Sequence, residues 1–346
     1  MNYIDLSKAV FNHLKEIAPE IKHYYGILAM IGALKTGEAA GDDAYIQETV
    51  RMLSRFPDEI DTGKTNFPSY RIGGIARAYA LFKGYMTDDR TKALVREYAE
   101  ELMTAPRDRK GIVKSPFNPV RNVIWIDCAA FVTPYLLYAG LAMNEPAWID
   151  EAVKQALMMY DEFWDPSCGL LHQTKGEIAE GVLSQDHWGR GNGWGYFGLT
   201  ELLQYLPKEH PERWRVEEYF GRHSYAMLLC QTENFVWRQE LDEPNSYEEA
   251  TATGLILYGF GVGRRLDILQ VNGFQQPYED GIRAMTTLFL DKDFRILNVC
   301  PGCRTPGKGK LMGSKSAYMN RFPVTDDLHG FGPLQLAYAE AALHEL

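Results

Sequence analysis

The chain has 346 residues, with 36 Lys or Arg against 46 Asp or Glu and a formal net charge of −10. Its 46% hydrophobic and 24% charged residues give it the make-up of a globular protein large enough to bury a substantial core. The acidic balance and the lack of a Lys/Arg block exclude an electrostatic footprint for nucleic acid, so no nucleic-acid partner is expected.

The first segment, "MNYIDLSKAVFNHLKEIAPE", reads as an amphipathic helix rather than a secretory signal, which makes the cytoplasm the expected location. Helical periodicity then recurs to the end of the chain. It covers 4–17, 24–36, 42–55, 70–84, 90–104, 122–142, 147–164, 192–206, 212–230, 247–267, 275–291 and 330–345, which predicts twelve helices. In the seventh, Ile149, Val153, Leu157, Tyr160 and Trp164 line one face at spacings of three and four. Breakers such as "FPDEIDTGKTNFPS", "APRDRKG", "LPKEHPE" and "VNGFQQP" separate the segments. Fragments such as "NFVWRQ" and "RILNVC" suit small hairpins, but strands never alternate regularly with helices, which argues against a parallel α/β sheet.

The helices are of two kinds. Those like 90–104 are amphipathic, whereas 122–142 and 247–267 are apolar nearly all round and rich in Gly and Ala. Two kinds suggest two concentric layers, and twelve helices fit an all-α (α/α)6 barrel of six inner and six outer helices in one domain spanning 1–346. The run 123–143 is long enough to cross a membrane, but it carries Asp127 and Pro134 and is better explained as a helix buried in protein, so no membrane partner is expected. Five scattered cysteines, at 128, 168, 230, 300 and 303, suit reduced thiols. "CPGC" lacks the second pair a structural zinc wants and there is no HExxH, so neither a metal nor a cofactor is expected.

Asp127, in "VIWIDCAAFVTPYLL", is an acid with no cation within four residues on either side. Desolvation would raise its pKa toward that of a general acid working near neutrality; the plainer reading is a first-turn aspartate stabilised by a helix dipole. "LSQDHWGRGNGWGYFG" supplies Trp188 and Trp194 as flat faces, Arg190 as a forked donor for a carboxylate, Asn192, and Gly191, Gly193 and Gly195 where the backbone could approach a ligand. The plainer reading there is a glycine-rich helix entry with tryptophans in the core. His23, His172 and His329 each sit at the edge of a helix or loop, where a structural role is the commoner one; Asp186 and His187 read as capping residues.

Taken in order, "HYYGILAMIGAL", "IWIDCAAFVTPYLLYAG", "GLLHQ", "HWGRGNGWGYFGLTELLQYLP" and "TDDLHGFGPLQLAYAE" resemble the unsaturated rhamnogalacturonyl hydrolases of glycoside hydrolase family 105 and, more distantly, the unsaturated glucuronyl hydrolases of family 88. The resemblance runs nearly the whole chain. It implies a six-by-two helical barrel acting on a small oligosaccharide whose nonreducing end is a 4,5-unsaturated uronic acid, and a reaction that hydrates the vinyl ether instead of attacking the glycosidic bond directly. Asp127 matches the general acid/base of the family. Trp125, His172, Arg190 and Trp194 match pocket-lining positions, and His23, Tyr25, Arg71, Asn192 and His329 complete the expected substrate-binding set. The family carries a second aspartate just before the helix that here reads "YRIGGIARAYALF"; Arg71 stands at that place, with Asp61 the nearest upstream acid. Three alternatives remain open at this level: an epimerase with paired histidines, an inverting glycosidase with two carboxylates, and a binding protein that has lost activity. A homo-oligomer is compatible with the sequence.

Overall fold

The computed structural model describes residues 1–19, 24–55, 74–115, 120–302 and 311–344, and structural statements refer to these. Six helices form an inner ring: α2 (Tyr24–Ala40), α4 (Gly74–Phe82), α6 (Ala129–Met143), α8 (Gly189–Tyr205), α10 (Ala250–Arg265) and α13 (Phe331–Leu343). Each packs on the next, and α13 returns to α2 to close the ring. Six more lie outside it: α1 (Tyr3–Ile17), α3 (Asp43–Ser54), α5 (Asp89–Met103), α7 (Pro146–Phe163), α9 (Arg213–Leu229) and α11 (Val271–Phe289). Every outer helix contacts the inner helices beside it in sequence, as an (α/α)6 barrel requires.

The two layers follow from composition. α5 is capped by Asp88, whose carboxylate accepts the Thr91 backbone N–H at 2.9 Å, and buries Val95, Tyr98, Ala99 and Leu102 on one face. α6 instead is buried from Ala129 to Gly140, all round, and stops at Asn144 in the left-handed region. The membrane-length span Ile126–Met143 is 83% buried inside the protein, which is why it reads as so apolar.

Inner helices can close into a ring only if their backbones approach closely, and glycine provides the room at four seams. A Cβ on Gly198 of α8 would lie 2.7 Å from the Ala129 carbonyl oxygen of α6. On Gly259 of α10 it would lie 2.1 Å from the Tyr196 ring of α8, and on Gly254 2.7 Å from the Pro333 carbonyl carbon of α13. On Gly32 of α2 it would meet Gln335 of α13 at 2.7 Å.

The C-terminal ends of the inner helices are tied together by buried charge. Lys35 Nζ sits 3.3 Å from Glu201, which also accepts hydrogen bonds from the Tyr138 and Tyr258 hydroxyls. Burial alone would push the Lys35 ammonium down, but Glu201 and the surrounding tyrosines hold it well above the usual lysine range. Tyr79 donates to Glu38 at 2.9 Å, and Arg265 pairs with Glu340 at 2.7 Å. Lys35, Glu38, Tyr258, Arg265 and Glu340 line a cavity of about 310 Å³. With this end knotted, the N-terminal ends are left to carry the site.

Three departures from the predicted elements have physical causes. The helix expected over 122–142 starts at Ala129, because Ile124–Trp125 (β1) pairs antiparallel with Thr174–Lys175 (β4) and a short 3-10 turn, Ile126–Cys128, joins strand to helix. A second hairpin pairs Trp164–Asp165 (β2) with Leu170–Leu171 (β3). The helix expected from 192 begins at Gly189: the glycines of "GRGNGWG" lie inside α8, and Gly193 and Gly195 admit Leu255 and Leu171, where a Cβ would meet each at 2.7 Å. They serve helix packing and not, as the sequence suggested, the approach of a ligand. A short helix, α12 (Lys315–Met319), was not anticipated.

We expect Gly198→Val to lower stability to chemical denaturation by about 1–3 kcal/mol, because the neighbour it strikes is backbone. Gly221→Ala on outer helix α9, with nothing within 4 Å of the new methyl, should raise stability by about 0.5–1 kcal/mol. Equal effects of the two substitutions would contradict the seam argument.

Candidate active site

Asp127 occupies the 3-10 turn that leads into α6. The β1–β4 pairing sets what lies beside it: Ile126 N–H donates to the Gln173 carbonyl at 2.9 Å, and the Gln173 side chain donates from Nε2 to Asp127 Oδ2 at 3.3 Å. The Tyr318 hydroxyl donates to Gln173 Oε1 at 2.5 Å, which fixes the amide so that its NH2 faces the carboxyl. Asp127 is partly exposed, and among the described residues no cation lies within ion-pair distance of it. Its surroundings are Trp125, Ile126, Cys128 and Ala129, all buried. Burial pushes its pKa up to about 7, against the opposing pull of the Gln173 hydrogen bond and the Arg190 charge. A carboxyl group half-protonated near neutrality, partly accessible and with no ion-pair partner among the described residues, has the properties of a general acid/base.

Arg190, in the first turn of α8, is 1% exposed, and its guanidinium stacks on Trp188 at 4.7 Å. It donates to the Cys300 carbonyl at 2.5 Å and to the Pro301 carbonyl at 3.4 Å. Glu249 caps α10 through the Ala252 N–H at 2.7 Å and accepts the Cys300 N–H at 2.8 Å. Arg190 and Glu249 therefore stitch the first half of "CPGC" onto the mouth of the barrel. Cys303 lies outside the described residues. The positive charge of Arg190 is thus felt at Asp127 and Asp327 while its fork is occupied by backbone.

The remaining expected residues divide by depth. Trp125 is held by Nε1–H donation to Glu177 at 3.1 Å. His172 follows β3 and is partly accessible, with Nδ1 3.1 Å from the Asp186 carbonyl; burial and the neighbouring His187 lower its pKa. His329, just before α13, has Nδ1 2.5 Å from Asp327. Asn192 and Trp194 are turned into the core. Asn192 accepts from Leu171 N–H at 2.7 Å and His223 at 3.0 Å and donates to Leu171 and Trp188 carbonyls at 3.0 Å, so its amide is spent on joining β3 to α8. Trp194 is 2% exposed and packs on Phe131. A direct contact with sugar, expected for both, is replaced by structural support. His23 and Arg71 lie outside the described residues, as does Asp61, and so does the side chain of Tyr25.

Sequence reading missed Gln173, Tyr318 and Glu249, and took Asp186 for a capping residue only. Asp186 is fully buried, its carboxylate accepting the Gln173 and Trp188 N–H groups. Of the residues missed, Glu249, ahead of an apolar run in "EEATATG", had a local cap signal.

The sequence matches Glycosyl Hydrolase Family 88 over residues 7–344. The chain belongs to this family. It is 26% identical over 238 residues to the unsaturated rhamnogalacturonyl hydrolase YesR of Bacillus subtilis, covering 66% of this chain and 67% of that one. Its fold is similar to that of a family 105 glycoside hydrolase from C. acetobutylicum, with a TM-score of 0.81 at 22% identity over 98% of this chain and 99% of that one. It is also similar to the unsaturated glucuronyl hydrolase of Bacillus sp. GL1, responsible for the degradation of glycosaminoglycan, with a TM-score of 0.71 at 18% identity over 99% of this chain and 95% of that one. Within this family 88 barrel the 3-10 turn that leads into α6 is where the Asp127 carboxyl group stands, and the (α/α)6 architecture expected from periodicity holds.

Difference infrared spectra of the wild type against Asp127→Asn should show a protonated carboxyl that disappears with a midpoint near pH 7. Because the Gln173 hydrogen bond lowers this pKa, Gln173→Met should move the midpoint upward. A midpoint near 4 in the wild type would mean that Asp127 is solvated.

Proposed function

We propose that this family 88 chain removes a 4,5-unsaturated uronic acid from the nonreducing end of lyase-generated oligosaccharides, rhamnogalacturonan fragments of pectin being the substrate class. The observation that carries this reading is the raised, partly accessible carboxyl group of Asp127, held by Gln173 at the mouth of the barrel. The name of the YesR relative supports the substrate class.

A C4=C5 vinyl ether needs a proton at C4 before water can add at C5. Protonated Asp127 supplies it, and the positive charge that develops at C5 is shared with the ring oxygen. The carboxylate left behind takes a proton from the incoming water, so the group ends the step as it began. The hemiketal formed at C5 then opens and releases the neighbouring sugar. One carboxyl group suffices for both proton transfers, unlike inversion at a glycosidic bond, which needs two carboxyl groups about 6.5–9.5 Å apart. Asp186, the acid nearest in the hydrogen-bond network, is fully buried and engaged by backbone N–H groups, which leaves it unsuited to activating water. The close histidine pair, His172 and His187, is committed to Asp165, Asp242 and the Asp186 carbonyl, which disfavours an epimerase.

Activity is expected as loss of the enol-ether absorbance of unsaturated oligosaccharides, and Asp127→Asn should lower kcat/KM by at least about 10²–10⁴-fold with an unchanged helical circular dichroism spectrum. The sign of the pH dependence follows from the protonated form being active: kcat/KM should hold below pH 7 and fall about tenfold per pH unit above it. Release of sugar from saturated uronides at a similar rate would identify an ordinary glycosidase, and binding without turnover a lectin-like protein.

A further inference from the structure

Beside His172, the β2–β3 hairpin and the stretch before α8 bring Asp165, Cys168 and His187 together. Their Oδ, Sγ and ring nitrogen atoms lie within 4.8 Å of one another. His187 Nε2 is 3.3 Å from Asp165 Oδ2 and 3.6 Å from Cys168 Sγ. Zinc bonds of about 2.0–2.3 Å in a tetrahedron place ligand atoms about 3.3–3.8 Å apart. The His187–Asp165 and His187–Cys168 spacings are already those of a ligand set.

Hydrogen bonding fixes which lone pairs face inward. His187 Nδ1 lies 2.9 Å from Asp242 Oδ2, a carboxylate that can only accept, so Nδ1 carries a proton and, in the neutral ring, the Nε2 lone pair faces Asp165 and Cys168. Asp242 is itself anchored by Lys315 through Oδ1 at 3.1 Å. Asp165 is oriented in the same way: Oδ1 takes the Ser167 N–H at 2.8 Å and hydroxyl at 2.6 Å, which turns Oδ2 toward the histidines. His172 repeats the pattern beside it, with Nδ1 on the Asp186 carbonyl at 3.1 Å and Nε2 3.7 Å from Asp165 Oδ2. These atoms converge on one point, where a proton on His187 Nε2 or on the Cys168 thiol can bridge them and where a metal ion can displace that proton. The carboxylate–histidine pair, Asp242 with His187, is the outer support that zinc-ligating histidines use. Carboxylate, thiolate and imidazole donors select zinc over calcium or magnesium.

We propose that Asp165, Cys168 and His187 bind one zinc ion, with Asp242 orienting His187 and water filling the fourth position. His187 is 6% exposed while Cys168 is open to solvent, which gives the ion a way in. Bound there, zinc pins the hairpin to the segment leading into α8 and so steadies Gln173, the residue whose amide holds Asp127. This inference stands on the donor geometry and is independent of the hydrolase reading.

The test uses the full chain, stripped with a chelator and reloaded with zinc or cobalt(II) alone. We expect one zinc per chain by elemental analysis after gel filtration, and a near-ultraviolet thiolate-to-cobalt band that is lost in Cys168→Ser. Asp242→Asn keeps all three ligands and should weaken zinc binding by about 10–100-fold. Because Cys168 lies at the surface, Cys168→Ser should leave the helical spectrum intact. No stoichiometric zinc in the wild type, or a cobalt band that persists in Cys168→Ser, would overturn the assignment.

Discussion

The close approach of inner-helix backbones is the constraint from which the rest follows. A ring of six helices has little room at its seams, and where α8 meets α6 or α10 meets α13 a single methyl would collide with backbone. Holding the seams tight aligns the inner helices, gathers their C-terminal ends around the Lys35–Glu201 pair and brings their N-terminal ends to one mouth. The hydrophobic gain from burying α6 on all sides drives the closure. The polar knot fixes which packing is adopted.

The chemistry of Asp127 is a product of that closure. Isolated in water, an aspartate in "WID" would titrate like any other. Set against buried Trp125, Ile126 and Cys128, it loses solvent that the Gln173 amide only partly replaces, and its proton is held to near neutrality. The supports are layered: Tyr318 orients Gln173, Gln173 meets Asp127, and Asp186 holds the backbone that carries Gln173. Arg190 belongs to the same scheme in an indirect way, clamping the Cys300–Pro301 loop while lending its charge to the site.

Zinc behind the site would extend this layering by one step. Strand pairs of two residues each, such as β2–β3 and β1–β4, have little stability of their own, and the segment between β3 and β4 carries both His172 and Gln173. A cross-link from Asp165 and Cys168 to His187 would anchor that segment without adding to the core.

The sequence by itself determined the helices and their division into apolar and amphipathic layers, and it singled out Asp127 as a candidate, because 3.6-residue periodicity and an acid in an apolar run are local patterns. It misassigned the glycines of "GRGNGWG", since an isolated sequence cannot distinguish a backbone exposed to a ligand from one pressed against Leu255 and Leu171. It placed Asn192 and Trp194 at the sugar for the same reason: residue type suggests a role, but only packing decides which way a side chain faces. Gln173, Tyr318 and the Asp165–Cys168–His187 cluster were illegible because their partners are distant along the chain, Tyr318 being 145 residues from Gln173. Tertiary structure alone decided these, because desolvation, hydrogen-bond direction and the convergence of donor atoms are properties of a closed barrel and not of any stretch within it.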